Sequence, residues 1–214
     1  MTAMSTPLRS SPLYLTVLSL LHYQPLHPYG IQRLIKQWGK DQVVNVSQRA
    51  SLYRAIDRLL AADLIAVRET GRDQLYPERT VYEVTDAGRT VAREWLVEML
   101  ATPKQEFPEF PAALSLLLML EPDEALEVFE RRAEHVRAAL REIDAVTAVE
   151  AQHRLPRVAM LETEYQRVVT AAQLQWLDAV VEDLRTGRLS WTPEELLAFA
   201  EPSDTPTDTP PDTP

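Results

Sequence analysis

The chain has 214 residues, 45% of them hydrophobic and 25% charged, with no cysteine. That is the composition of a globular protein with room for one large or two small domains, and it excludes disulfides and thiolate metal sites. A net charge of −10 argues, taken alone, against a nucleic-acid binder. Its distribution argues otherwise: residues 1–100 hold 12 Lys+Arg against 10 Asp+Glu, and residues 101–214 hold 10 against 22. The acidity lies in the second half and leaves the first free to carry a local basic face. No segment has signal-peptide character or the roughly 20 apolar residues of a membrane span, so a soluble cytoplasmic chain is expected.

Four segments separate by composition: an N-terminal tail (1–11), a region of mixed helix and strand patterns (12–102), a helical region (103–200) and a Pro/Ser/Asp/Thr tail expected to be disordered (201–214). In the mixed region, Leu13, Val17, Leu18, Leu20 and Leu21 recur on one helical face after Pro12. A second helix opens at His27-Pro28 with Tyr29, Ile31, Leu34, Ile35 and Trp38 on its apolar side, and Gly39 stops it. The third follows Ser47 as cap, with Leu52, Ile56, Leu59 and Leu60 forming a core-facing stripe. Its opposite face carries Gln48, Arg49, Ser51, Tyr53, Arg54, Asp57 and Arg58. The period then drops to two over residues 64–69 and 80–85, predicting a hairpin whose link and flanks carry Arg68, Arg72 and Arg79. Thr85 or Asp86 caps a fourth helix bearing Val91, Trp95, Leu96 and Met99.

Three helices, a two-stranded wing and a closing helix are the order of a winged helix-turn-helix. In that arrangement the third helix enters the DNA major groove, where arginine can donate to guanine, glutamine can pair with adenine, and hydroxyls can hold phosphates. The wing arginines suit the neighbouring minor groove or its phosphates. The same pattern also describes a solvated helix face, and some winged helices are adaptors that bind protein and never touch DNA.

In the helical region, Leu126, Phe129, Ala133, Val136, Leu140 and Ile143 are spaced 3, 4, 3, 4, 3. Val158, Leu161, Tyr165, Val168 and Ala172 repeat the rhythm, and Trp176, Val180 and Leu184 extend it to a stop at Gly187. Two such seams joined near residues 153–155 should pack antiparallel. They would either close inside one monomer or form a homodimer, as a palindromic operator requires. The leucine-rich stretch from Ala113 to Leu120 needs burial in the fold or against a partner. Trp38, Trp95, Phe110 and Trp176 are candidates for an aromatic effector pocket, against the alternative that they are core. The four histidines lack metal-ligand spacing, and no phosphate-cradling or nucleophile motif is present. Neither metal nor cofactor is expected, and no enzyme activity.

Three stretches resemble the PadR-like transcriptional regulators. Leu18, Leu21, Pro25, His27 and Tyr29 fall on the family's first-helix and turn pattern, with Pro28 where glycine is usual. Residues 50–59, ending in Asp63-Leu64-Ile65, are similar to its recognition helix, with Ala50 for glycine and Arg54 for proline. Arg79, Tyr82, Thr85 and Gly88 match its closing strand. The resemblance implies a dimeric winged-helix regulator, usually a repressor, that binds double-stranded DNA and has a helical C-terminal dimerisation domain. Regulators of this kind often answer to phenolic or other hydrophobic effectors. Tyr29, Ser47, Gln48, Arg49, Ser51, Tyr53, Arg54, Arg58, Arg68, Arg72 and Arg79 are the candidate DNA contacts. Leu126, Phe129, Val136, Leu140, Ile143, Leu161, Tyr165 and Val168 are the candidate dimerisation residues.

Overall fold

A computed structural model describes residues 8–40, 43–44, 49–71, 79–153 and 155–192. The chain divides into two compact units, Met1–Gln105 and Glu106–Pro214. The tail expected to be disordered (201–214) lies outside the described residues.

The first unit begins with α1 (Pro12–Tyr23), where Ser11 accepts the Tyr14 amide and Pro12 supplies a preset φ at the first position. In α2 (Pro28–Gln37) the His27 Nδ1 caps the N-terminus by accepting the Gly30 amide at 2.9 Å. Trp38 closes the other end, and Gly39 takes the left-handed turn at φ +64°. Helix α3 (Arg49–Ala61) buries Leu52, Ala55, Ile56 and Leu59 against Val17, Leu18 and Leu21 of α1 and Ile31 and Ile35 of α2. Each of the leucines, isoleucines and the valine contributes about 1.5–3 kcal/mol on burial.

Strands β1 (Ile65–Gly71) and β2 (Arg79–Val84) pair antiparallel from Ile65↔Val84 outward, with a register shift between Val67 and Glu69 that leaves Arg68 unopposed. The loop after α1 adds one bridge to the wing. Leu26 and Tyr82 exchange both backbone hydrogen bonds, at 3.0 and 2.9 Å. Helix α4 (Asp86–Ala101) is capped by Thr85, whose hydroxyl accepts the Gly88 amide at 3.0 Å and donates to the Asp63 carbonyl at 2.8 Å. Gly88 permits this closure, since a Cβ there would lie 2.0 Å from the Leu64 carbonyl oxygen.

The second unit comprises α5 (Glu109–Leu114), a 3-10 turn (Leu117–Met119), α6 (Pro122–Gln152) and α7 (Arg157–Arg185). The leucine-rich stretch is therefore not one helix. The Ser115 hydroxyl donates to the Ala112 carbonyl at 2.7 Å, competing with the backbone ladder. Leu114 and Leu117 pack inward, while Leu116, Leu118 and Met119 are exposed. Glu121 and Glu124 form a reciprocal capping box at the start of α6.

Helices α6 and α7 run antiparallel, as three ion pairs register: Glu130–Arg185 at 2.6 Å, Arg137–Asp178 at 2.8 Å and Asp144–Arg167 at 2.6 Å. The packing face of α7 differs from the expected seam. Leu174, Leu177, Val181 and Leu184 face Ala125, Phe129 and Ala133, with Trp191 closing the cluster by donating its Nε1 to the Leu120 carbonyl at 2.9 Å. Val158, Leu161, Tyr165 and Val168 point away from α6, with Val158 75% and Tyr165 70% exposed. Helix α7 carries two apolar stripes, and the regular 3-4 spacing marks the outward one.

Candidate nucleic-acid interface

Helix α3 divides cleanly by face. Its core stripe is buried, whereas Tyr53, Arg54, Asp57 and Arg58 are exposed. Ser51 is half-buried at the boundary. Ser47, Gln48 and Arg72 lie outside the described residues, as do the side chains of Arg49 and Arg79, which the backbone places at the start of α3 and of β2.

The exposed arginines differ in what holds them. The Arg54 Nε donates to the Ala50 carbonyl at 3.1 Å and its Nη2 to the Ser51 hydroxyl at 3.3 Å. Its guanidinium thus lies along the first turns of α3, the part of a recognition helix that approaches base edges. Arg58 instead donates to the Tyr14 hydroxyl at 3.2 Å. Tyr14 in turn packs on Trp95, with ring centroids 6.4 Å apart. Arg58 therefore ties α3 to α1, a role its place on the polar face did not reveal. The signal lay in Tyr14, an aromatic hydroxyl beside the leucine face of α1.

Tyr29, 63% exposed, begins α2 and stacks on His27 with planes 9° apart. With Pro28, Gln32, Leu52 and Tyr53 it lines a niche of about 50 Å³ where α2 meets α3, bringing two candidate contacts together. Arg68 sits on the wing with its guanidinium 3.9 Å from Glu83, both side chains about half exposed, so the pair leaves Arg68 open to other anions. The Tyr82 phenol is held above its ordinary pKa by partial burial first, then by Asp57 and Tyr53. Asp57 and Tyr53 lie on the exposed face of α3, the helix that meets the wing through β1. Arg89, in the first turn of α4, meets His22 through the ring Nδ1 at 2.7 Å and the carbonyl at 3.4 Å, a contact sequence periodicity could not show.

The four aromatic residues proposed for an effector pocket are divided between the two units. Trp38, 49% exposed, follows α2, and Trp95 packs against the core of the first unit. Phe110 and Trp176 belong to the second unit, where they meet edge to face at 6.0 Å. Of the expected dimerisation residues, Leu126, Phe129 and Val136 pack in the chain's own second core, and Leu140 and Ile143 are half-buried farther along α6. Leu161, Tyr165 and Val168 remain exposed. Among the described residues there is no cluster of three His, Asp or Glu side chains suited to a metal ion, and no helix long and apolar enough to cross a membrane.

Residues 17–94 match the family model described as the transcriptional regulator PadR-like family. No curated protein sequence matches the chain. Among solved structures, Bacillus subtilis PadR in complex with operator DNA is similar in fold, with a TM-score of 0.68 and 18% identity over 81% of this chain and 99% of that one. The same regulator in complex with p-coumaric acid gives a TM-score of 0.64 at 18% identity, covering 81% and 98%. The Vibrio cholerae virulence activator AphA gives 0.63 at 20% identity, also covering 81% and 98%. The stretch at residues 17–94 is thus similar to the PadR-like family of transcriptional regulators, and the likeness to the solved structures, one of fold, extends over most of the chain.

Proposed function

We propose that the chain is a sequence-specific DNA-binding repressor that occupies a palindromic operator as a homodimer and is released by a small hydrophobic or phenolic effector. The observation carrying this reading is the exposed face of α3, where Tyr53 and Arg54 take no part in the core, in a unit whose wing presents Arg68. Tyr29, Ser47, Gln48, Arg49, Ser51, Arg72 and Arg79 complete the proposed contact set, with Arg58 serving first to orient the helix. The outward stripe of α7 supports the homodimer: Leu161, Tyr165 and Val168 would meet their equivalents in a second copy. The neighbour solved with operator DNA and with p-coumaric acid supports both the DNA and the effector. Repression needs only occupancy of the operator; because AphA is an activator, the sign of the response is tested by transcription rather than by binding.

The test is fluorescence anisotropy of a labelled duplex from the region upstream of the protein's own gene, titrated at several salt concentrations beside a scrambled duplex. Selective binding that weakens steeply with salt is expected, and Arg49→Ala/Arg54→Ala should lose the selectivity. Equal and feeble binding to both duplexes and to every other genomic fragment would favour the protein-binding adaptor instead.

A further inference from the structure

An open cleft of about 910 Å³ runs between residues 108–120 and α6, within the roughly 300–1,000 Å³ of pockets that take organic ligands. Its charge is opposite to that of the unit containing it. The second half of the chain carries 10 basic residues against 22 acidic ones, yet the cleft is lined by Arg131, Arg132 and His135 with Glu109 as its one carboxylate. Arg132 also stands apart from other arginines of this helix pair. Arg137, Arg167 and Arg185 each hold a carboxylate at 2.6–2.8 Å. Arg132 pairs with no acid among the described residues; its guanidinium lies 3.5 Å from the Phe110 ring centroid, and its Nε is covered without a hydrogen-bond partner. A cation held on an aromatic face in a mainly apolar cleft gains most from an incoming anion.

The lining also selects the body of that anion. The Phe110 ring is engaged by Arg132 and by the edge-to-face contact with Trp176, which meets Phe129 in the same way at 6.2 Å. The aromatic surface is thus largely used within the chain. What remains is aliphatic: Leu114, Leu116, Leu117, Leu120, Val128 and Val136. We infer that this cleft binds a long-chain acyl carboxylate, its head against Arg131 and Arg132 and its chain along the leucines. The site rests on the effector reading only for its consequence at the operator.

Calorimetric titration of the full chain with dodecanoate, dodecanol and cinnamate tests the assignment. Dodecanoate should saturate one site per chain, with the alcohol and the aromatic acid about tenfold weaker or more. Arg132→Gln should bring dodecanoate to the affinity of dodecanol, and Arg132→Lys should recover part of the difference. Ala139→Trp, which fills the cleft from an exposed position on α6, should abolish binding of both. Equal affinity for acid and alcohol, cinnamate binding as tightly as dodecanoate, or no saturable heat overturns the site. So does an Ala139→Trp variant whose only change is a loss of dimer mass, which assigns the cleft to a second copy. Dodecanoate that binds without changing operator affinity supports the site and overturns the effector reading. Operator release by another compound, with no dodecanoate bound, does the reverse.

Discussion

The two units solve the same problem of apolar burial to different degrees. In the first, α1, α2 and α3 converge, so that Leu18, Leu21, Ile31, Ile35, Ile56 and Leu59 are all fully enclosed. In the second, burial is concentrated at one end of the helix pair, where Phe129 and Ala133 meet Leu177 and Val181. The other end relies on polar ties, Asp144–Arg167 and a Thr163 hydroxyl bonded to Glu150 at 3.1 Å, and leaves Val146, Val149, Leu161 and Val168 in solvent. A unit that completes its own core can devote an exposed face to recognition. A unit that leaves an apolar stripe uncovered calls for another chain.

The largest expected effect breaks the first unit. Gly88→Ala drives a Cβ into the Leu64 carbonyl oxygen, and backbone must move to accept it. A loss of about 3 kcal/mol is expected, at the upper end of overpacking penalties, together with loss of operator binding. Denaturant unfolding followed at Trp95 and by circular dichroism would check it; a midpoint matching the unsubstituted protein would contradict the tight wing closure.

The next effect bears on the second unit. Leu161→Asp/Val168→Asp leaves the intramolecular core untouched, because both side chains are already exposed in the single chain. Helix content should persist while the mass seen by light scattering halves. Operator affinity should fall by about two orders of magnitude as two linked contacts become one. In the unsubstituted protein, the melting temperature should rise with concentration, and in the variant it should not. A variant that stays dimeric would move the interface elsewhere.

This contrast also marks how far the sequence could be read. The α3 stripe was legible because Leu52, Ile56, Leu59 and Leu60 keep one period with polar residues between them, and the wing was legible from its change of period. The Leu26–Tyr82 bridge was not, since a single pair of residues has no periodicity. On α7 the spacing alone did not show which stripe meets α6, because the inward face includes Thr163 and Thr170, which look like solvent positions, while the outward face keeps the apolar rhythm. The surroundings of the aromatic residues were not legible either. Sequence supplies their number, but only folding shows that Trp95 meets Tyr14 and Trp176 meets Phe110. On α3, residue types distinguished the exposed face from the core stripe, whereas the different holds on Arg54 and Arg58 needed the Tyr14 hydroxyl in place.

A smaller effect sharpens the account of the wing. Asp63, between α3 and β1, adopts φ +56°, a region that a side chain other than glycine enters at a cost. The Asp63 carbonyl is what accepts the Thr85 hydroxyl, so the backbone rather than the side chain serves the cap. Asp63→Gly should therefore stabilise the first unit by up to about 1 kcal/mol, with operator affinity unchanged. Destabilisation in thermal melts would show that the carboxylate itself contributes.

The smallest effect concerns the polar ties of the second unit. Arg157 donates to both carboxylate oxygens of Glu164, at 3.1 and 2.7 Å, and these bonds hold the Glu164 pKa below its ordinary value. A depressed folded-state pKa means that the contribution is fully present above the unfolded value, about 4.3 for a glutamate. It is lost as pH falls through the lower, folded value. The pair is solvent-exposed, so salt should weaken it as well. Amide exchange in the first two turns of α7 should therefore gain protection as pH rises through the acid range at low salt, beyond the intrinsic pH dependence of exchange. Glu164→Gln should remove that gain, leaving the buried end near Leu177 and Leu184 unaffected. Equal slopes in the two proteins would mean that the outward half of α7 is held by its covering partner rather than by its own charges.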